Sequence, residues 1–568
     1  MGRTVGASSR YTFRLLSVLL ALLLLAAACG DSDGGDSEAE ADEAASGTTE
    51  SVEAAETTAA PDESAETTEA APAEGEPVPG GTITIAVDLE TAGWDPPNGL
   101  IGFPGRMVNH LVYGQLTMAQ PDGTFVPYLA ESVESNDDAT VWTITLRDGM
   151  TFHDGTPFDA EALKFHFDRM AAPESSLAAS FVNWASVEVL DALTVQITLT
   201  EPNARVPEGL ADSAGNVVSP AAVEELGAEF NNMPVGAGPY RFVEWVRDDH
   251  LTLEKNEDFI FDDRGWADTI IFRPLPDDAA RAAALRAGDV DAIVTTNTAD
   301  IASFRDEAGF ELHEVPFGAS GMLFNIEAVP DTRVRQAVAM AVDKEAIADL
   351  VFSGVGEPTD SPWPMDSPWY ADVAYPEFDP EGAAALIEEI QQETGAPVSL
   401  EIMPGVTETA QNLAVALQAQ LQDVGMEVTL AEVADNNDYV VRYLEGNYEM
   451  TPSGLFGMVD PAFEYTRRFD SEALLNGTGY KTPEMDAALD IGISSLDQAE
   501  RKVAYDEAQR LLAENLVQLY LATGVYGVVL SEDIDGYGKA TNLDGSPSLG
   551  NYFTPILADT IWRADGGS

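Results

Sequence analysis

Residues 146–158 read LRDGMTFHDGTPF. Just before them, apolar and polar side chains alternate from Val141 to Leu146, which predicts a β-strand. Gly149 and Gly155 lie where tight turns need backbone freedom. The residues from Ala160 to Phe167 then begin a helix. A strand, turns and a helix therefore follow one another closely in this part of the chain.

Similar signals occur on both sides of this segment. Residues 80–87 and 194–199 alternate with period two and predict two further strands. Asp379 is a capping residue that stands before Pro380, at the first helical position, and it predicts a helix that ends at Gly395. Strands and helices that interleave in this way predict an α/β protein.

One predicted helix carries an arginine whose role we expect to be structural. From Val334 to Leu350 the apolar side chains recur at helical spacing, which predicts a single helix facing the core. Arg335 on this helix is predicted to pair with an acid such as Asp343 instead of binding a substrate.

The N-terminal region has the layout of a secretion signal followed by a tether. Basic residues precede an apolar run that is too short to span a bilayer, so residues 1–28 are predicted to be a signal peptide. Cys29 follows small residues and resembles the lipidated cysteine of a bacterial lipobox; the alternative is an ordinary signal peptide that contains a cysteine. Residues 29–80 are acidic and poor in large apolar side chains, so we predict a disordered tether.

Composition excludes several classes of function. A formal net charge of −70 argues against nucleic acid, because phosphate binding requires a basic surface. No Gly-x-Ser-x-Gly or His-Glu-x-x-His motif occurs, and the five histidines lack the spacing of a metal site. His153, beside a turn glycine, is expected to stabilise that turn. We therefore expect no enzyme activity, no metal and no cofactor, although the 98 acids leave a glycosidase pair open.

Seven sequence blocks occur in a fixed order along the chain. They are Tyr113–Leu116, Val126–Ser132, Leu146–Phe158, Val187–Asp191, Pro234–Tyr240, Ala284–Asp291 and Asp331–Ala337. In this order they resemble the family 5 extracellular solute-binding proteins, the dipeptide, oligopeptide and nickel class that feeds ABC importers. The resemblance covers residues 81–568.

The resemblance implies a two-lobed α/β fold of the type II periplasmic-binding-protein kind, enlarged by an extra domain, with a ligand cleft between the lobes. Domain I would comprise residues 81–110, 233–318 and 526–568. Domain II, the insertion, would be residues 111–232, and domain III residues 319–525. Closure of the two lobes would bury the ligand.

The resemblance also places candidate ligand contacts. The cleft positions of the family correspond to Trp94, Met322, Phe324, Asn325, Phe456 and Asp460, while Trp184 and Trp363 are expected in loops that face the cleft. Peptide-binding members use an aspartate, four residues before a proline, to bind the α-ammonium of the ligand. Here that position is Gly457, which argues against ordinary peptides with a free amine, because a buried unpaired ammonium is costly.

These observations predict a lipid-anchored receptor on the extracellular face of a bacterial membrane, or on the periplasmic side where an outer membrane exists. It would act as a monomer and deliver a peptide or peptide-like solute to the permease of an ABC importer. A receptor for an oligosaccharide or another nutrient is the alternative, and an extracellular hydrolase is a more distant one.

Overall fold

The computed structural model describes residues 76–98, 103–120, 122–456, 459–539 and 554–564. For Phe103, Leu455 and Phe456 it describes the backbone alone.

Several sequence predictions fall outside these ranges. They are the signal peptide of residues 1–28, the lipidation site Cys29, nearly all of the tether, and Gly457.

Nineteen strands are assigned in the described part of the chain. They are β1 Thr82–Val87, β2 Thr117–Ala119, β3 Phe125–Pro127, β4 Ala130–Ser135, β5 Val141–Leu146, β6 Trp184–Val189, β7 Thr194–Leu199, β8 Tyr240–Val246, β9 His250–Lys255, β10 Thr269–Pro274, β11 Ala292–Thr295, β12 Phe310–Phe324, β13 Ser399–Ile402, β14 Glu427–Leu430, β15 Met450–Pro452, β16 Leu455–Phe456, β17 Gln518–Ser531, β18 Ile534–Asp535 and β19 Trp562–Arg563.

The α-helices lie between these strands. They are α1 Phe103–Tyr113, α2 Ala160–Ala171, α3 Val206–Leu210, α4 Pro220–Leu226, α5 Asp278–Ala287, α6 Thr298–Phe304, α7 Thr332–Ala341, α8 Lys344–Val351, α9 Pro380–Thr394, α10 Glu408–Asp423, α11 Asn436–Leu444, α12 Ala462–Phe469, α13 Pro483–Ser494 and α14 Gln498–Glu514. Within the described ranges, no helix is both long and apolar enough to cross a membrane.

One large sheet runs through the molecule in the order β14-β13-β15-β12-β17-β11-β1-β10-β9-β8. We call the part around β11, β1, β10, β9 and β8 the first lobe, and the part around β15, β13 and β14 the second lobe. In the first lobe β1 runs parallel to both β10 and β11. In the second lobe β13 runs parallel to both β14 and β15. A separate four-stranded antiparallel sheet, β4-β5-β7-β6, lies in the segment between α1 and β8, which we call the insertion.

Two long strands join the lobes. β12 and β17 pair antiparallel from Phe310 opposite Ser531 to Leu323 opposite Gln518, with irregularities after Pro316 and after Ser320. One half of this pair contacts β11 of the first lobe, and the other half contacts β15 of the second. The expected α/β fold with two lobes and an extra domain is therefore confirmed.

Local signals predicted several elements well. β1, β5 and β7 occupy the alternating segments, and their inward-facing side chains are buried. Asp379 accepts a hydrogen bond from the backbone N–H of Gly382 at 2.9 Å and caps α9. That helix ends at Gly395, which has a φ of 71°. A capping carboxylate and a left-handed terminal glycine satisfy backbone groups that the helix leaves unpaired.

The predicted helix from Val334 to Leu350 was wrong in its extent, because the structure divides it into α7 and α8. Asp343 caps α8 by accepting a hydrogen bond from Ala346 N at 3.0 Å, which uses the carboxylate expected to bind Arg335. Arg335 is buried as expected, but its guanidinium donates to the backbone oxygens of Val329 and Asn515.

The end of this segment also differs from the prediction. Leu350 was expected in the core and is 76% exposed, because α8 buries Ile347 and Ala348 and leaves Leu350 on its exposed side.

Candidate functional site

A cleft of about 2780 Å³ lies between the two lobes and the insertion. On the first lobe its wall follows the carboxyl ends of three parallel strands. Residues 88–92 follow β1, residues 276–278 follow β10, and residues 296–299 follow β11. In α/β sheets, ligands bind in the crevice outside such strand ends.

The second lobe presents the same kind of edge to the cleft. Residues 404–413 follow β13, residues 433–436 follow β14, and residues 453–454 follow β15, and all of them line the cleft. The carboxyl ends of parallel strands from both lobes therefore face one common space. Phe317 of β12 and Tyr526 of β17 also line this space, and the centroids of their rings lie 4.6 Å apart.

The insertion supplies the remaining wall with aromatic and charged side chains. Trp184 packs edge-on against Phe181 with ring centroids 4.8 Å apart, and both line the cleft. Arg205 Nε donates to Glu208 Oε2 at 2.7 Å. Burial raises the pKa of the Glu208 carboxyl, and the Arg205 guanidinium opposes that rise.

The insertion also contacts the second lobe directly. Ala204 N donates to the carbonyl oxygen of Ile493 at 2.7 Å, and the side-chain amide of Gln498 donates to the carbonyl oxygen of Asp122 at 3.0 Å. The two sides of the cleft therefore meet at a second place besides the β12–β17 pair.

One carboxylate of the first lobe is unusual in its surroundings. Asp88 follows β1 directly and lines the cleft, and its Oδ1 is buried with no hydrogen-bond partner among the described residues. Burial raises the pKa of Asp88 to about 6, and the nearby Arg281 opposes the rise. A carboxylate in this state can still accept a hydrogen bond from a cationic or amide group.

Comparison with known proteins assigns the family. The family model described as "Bacterial extracellular solute-binding proteins, family 5 Middle" matches residues 124–477, more than half of the chain. The chain belongs to the bacterial extracellular solute-binding proteins, family 5. This confirms the resemblance found in the sequence, and it makes the chain a solute-binding protein of the class that serves ABC importers.

Individual relatives agree with this assignment. The family 5 protein is 29% identical over 407 residues to glutathione-binding protein GsiB of Pectobacterium atrosepticum, which covers 68% of this chain and 77% of that protein. It is similar to the structure of AgaA from A. tumefaciens R10 in complex with agropinic acid, with 26% identity, a TM-score of 0.68, and 85% and 99% of the two chains covered. The structure of the substrate-binding protein CtaP of Listeria monocytogenes shares the fold, with 22% identity, a TM-score of 0.73, and 86% and 100% covered.

The structure places three of the predicted contacts of this family 5 protein in hydrophobic cores. Trp94 is 4% exposed and packs edge-on against Trp245 at 5.2 Å in the core of the first lobe. Met322 and Phe324 are fully buried in the hydrophobic core of the second lobe.

Two further predicted contacts make structural interactions in the second lobe. Asn325 donates to the carbonyl oxygen of Gly446 at 2.6 Å and accepts from Glu327 N at 3.0 Å, which fixes the turn after β12. Trp363 packs edge-on against Tyr465 at 5.3 Å and is 3% exposed.

Asp460 lies behind the cleft and not on its surface. It is 2% exposed, and its Oδ2 accepts a hydrogen bond from Arg501 Nη2 at 2.5 Å. Its Oδ1 accepts from Ala462 N at 2.9 Å, at the start of α12. Phe456 belongs to β16, whose backbone pairs with β12 at Gly318, and its side chain lies outside the described part.

Among the predicted contacts whose side chains the structure describes, Trp184 lies on the cleft wall. It is the first residue of β6 and does not lie in a loop as expected. The sequence analysis did not single out Asp88 or the segment 404–413. One signal could have found them, because both follow strands directly, where the ligands of parallel sheets bind.

Proposed function

We propose that this solute-binding protein captures a peptide or peptide-like solute between its lobes and delivers it to the permease of an ABC importer. The observation that carries the proposal is the cleft, into which both lobes direct the carboxyl ends of parallel strands. Such an arrangement surrounds a solute from two sides.

Closure would occur about the two strands that join the lobes. β12 and β17 are irregular near the cleft, and Gly318 adopts a φ of 141°, which favours glycine. A connection of two strands with irregular pairing is suited to absorb the small backbone changes of hinge closure. We place the domain boundaries at this point, at residues 318/319 and 525/526, with the insertion over 111–232.

The size and lining of the cleft leave room for a solute larger than a single amino acid. A volume of about 2780 Å³ exceeds the roughly 300–1,000 Å³ of a typical small-molecule pocket. Its walls carry both carboxylates and arginines, which suit a solute with charges of both signs. Glutathione, named for one similar protein, carries charges of both signs, and agropinic acid, named for another, carries a carboxylate; both are larger than a single amino acid and are the first candidates.

An oligosaccharide or another nutrient is the second candidate. Gly457 supports it, because the aspartate that binds the free amine of peptides in other members is absent from that position. A hydrolase is less favoured, since the family consists of binding proteins.

We further propose that lipidation of Cys29 holds the protein, as a monomer, on the extracellular face of the membrane, with residues 30–80 as the tether. The basic n-region, the apolar run and the lone cysteine support this proposal.

A thermal-shift screen of the purified protein tests the solute class. The pools are glutathione, di- to pentapeptides, N-blocked peptides and oligosaccharides. A solute at 100 times its dissociation constant adds about 2.7 kcal/mol to stability, which gives a measurable shift. Stabilisation by a peptide or peptide-like pool is the expected result, and the recovered solute should be unchanged. Stabilisation by ordinary peptides with a free amine would mean that Gly457 does not exclude them. Stabilisation by oligosaccharides alone would refute the peptide proposal, and turnover of the solute would refute the receptor.

A further inference from the structure

The insertion is fixed to the first lobe. Arg169 of α2 donates two hydrogen bonds to the carboxylate of Asp95, in the segment that follows β1, at 3.0 and 2.7 Å. The backbone N–H and the hydroxyl of Ser176 both donate to the carbonyl oxygen of Pro97, each at 2.9 Å. The insertion therefore moves together with the first lobe, so a contact between the insertion and the second lobe must break when the cleft opens.

Such a contact surrounds the turn between α13 and α14 of the second lobe. Ala204 N donates to the carbonyl oxygen of Ile493 at 2.7 Å, and Gln498 Nε2 donates to that of Asp122 at 3.0 Å. Gly123 lies so close to the indole of Trp369 that a Cβ on this glycine would be 2.7 Å from Nε1. We call the contact of residues 122–123 and 203–208 with the second lobe the latch.

The latch brings two ion pairs together from opposite sides. Arg205 binds Glu208 at 2.7 Å within the insertion, and Arg501 binds Asp460 within the second lobe. The guanidinium carbon of Arg205 reaches across and lies 5.7 Å from the ring centroid of Phe463 on α12. The Asp460 carboxylate attracts the Arg205 guanidinium and repels the Glu208 carboxylate. The charge state of Glu208 therefore depends on whether the second lobe is in place.

Glu208 is the proton-binding group of the latch. Its side chain is 6% exposed, and burial together with repulsion by Asp460 raises the pKa of its carboxyl to about 7, although the guanidinium groups of Arg205 and Arg501 oppose the rise. When the latch opens, water reaches this carboxyl and Asp460 moves away, so its pKa falls towards the ordinary value of a glutamate. The closed latch therefore binds a proton more tightly than the open latch, and it gains stability as the pH falls.

The other elements around α3 add no competing titration. Strands β2 and β3 pack against this helix and carry no titratable side chain. Asp212, which follows α3, is paired with Arg106 of α1 at 3.3 Å. The charged groups that face Glu208 are thus the three already described.

We propose that the latch is a proton-dependent device that holds the cleft closed more firmly at about pH 6 than at about pH 8. This inference rests on the proposed function, because it concerns the opening of the same cleft. Its consequence is that pH sets how long a solute remains between the lobes.

Amide hydrogen exchange tests the latch in the natural protein without any solute. The N–H of Ala204 donates across the contact, so it exchanges when the latch opens. Mass spectrometry follows exchange at about pH 6 and pH 8, with each rate divided by the intrinsic rate at that pH, and we expect about threefold or more extra protection at the lower pH. Strand β5, inside the insertion, is the internal control and should show no such change. Equal protection of Ala204 at both pH values, or an equal change in β5, would overturn the inference.

Two variants then assign the effect to named groups. Glu208→Gln should abolish the pH dependence, because the amide is neutral at both pH values. Gln498→Ala removes the hydrogen bond to Asp122 and should lower the protection of Ala204 about threefold at either pH. Gln392→Ala is its matched control, because Gln392 is also an exposed helical glutamine and bonds only within α9 to Glu388. Equal losses in the two glutamine variants would contradict the latch, and this comparison remains decisive if Glu208→Gln fails to fold.

A second measurement separates this inference from the proposed function. The rate of release of a solute found in the thermal-shift screen is measured by stopped-flow tryptophan fluorescence at both pH values. We expect slower release at the lower pH in the natural protein, and the same rate at both in Glu208→Gln. An unchanged rate in the natural protein would refute the latch while the receptor stands. Protection of Ala204 that depends on Glu208, without stabilisation by any solute pool, would refute the peptide proposal and leave the latch.

Discussion

Replacement of Asp460 by alanine distinguishes a structural carboxylate from a ligand contact. Asp460 and Arg501 are 2% and 8% exposed, and the bond between them is 2.5 Å long. Arg501 Nε also donates to the carbonyl oxygen of Gly492 at 2.7 Å, which holds the guanidinium inside the second lobe. Asp460→Ala therefore leaves a buried positive charge without its carboxylate. Breaking such a pair costs about 3–5 kcal/mol.

The assay is equilibrium unfolding in urea, followed by tryptophan fluorescence, of the natural protein and two variants. Asp460→Ala should lower the free energy of unfolding by about 3–5 kcal/mol. Asp506→Ala is the control, because its partner Lys502 lies on the same helix and both side chains are partly exposed. Such surface pairs contribute about 0–1 kcal/mol. If Asp460→Ala is as stable as the control but fails to bind the solute, Asp460 is a cleft contact and the structural explanation is wrong.

Three further perturbations test other parts of the description. Burial raises the pKa of Asp88 to about 6. Between about pH 4 and pH 6 the folded state therefore binds more protons than the unfolded state, and its stability falls as the pH rises through that range. The free energy of unfolding of Asp88→Asn, measured in urea, should therefore equal that of the natural protein at pH 4 and exceed it by about 1–3 kcal/mol at pH 7.5. The same difference between the two proteins at both pH values would exclude this account. In Gly524→Ala the new Cβ would lie 2.8 Å from the ring of Phe317, so we expect the free energy of unfolding in urea to fall by about 1–3 kcal/mol and solute binding to weaken. Gly209→Ala is the control for stability, because its nearest neighbour lies 3.9 Å away; an equal loss of stability in both variants would contradict the steric explanation. Cys29→Ser should move the protein from the membrane fraction to the medium, and unchanged retention on cell fractionation would refute the lipid anchor.

The sequence predicted what depends on near neighbours. The strands at residues 82–87, 141–146 and 194–199 match the alternating segments, because a strand with one buried face repeats every two residues. The helix capped by Asp379 and ended by Gly395 follows from hydrogen bonds within its own terminal turns. The family was recognisable for a related reason, since its blocks keep their order along the chain.

Prediction from the local sequence pattern was wrong where one side chain had two possible roles. Asp343 could pair with Arg335 or cap a helix, and periodicity from Val334 to Leu350 gave no sign of the break between α7 and α8. In the structure Asp343 caps α8, and Arg335 donates hydrogen bonds to backbone carbonyl oxygens, including that of Asn515. A partner so distant in sequence cannot be inferred from spacing.

The cleft itself was decided by tertiary structure. The sequence by itself determined the elements that carry clear local signals, the family and the class of function, because these rest on local periodicity, on capping and on ordered motifs. It could not determine that Met322 and Trp94 are buried while Asp88 and Trp184 face the solute space, because an aromatic or apolar side chain suits a core as well as a cleft. That choice is made when β12 and β17 bring the strand ends of two lobes together around one space.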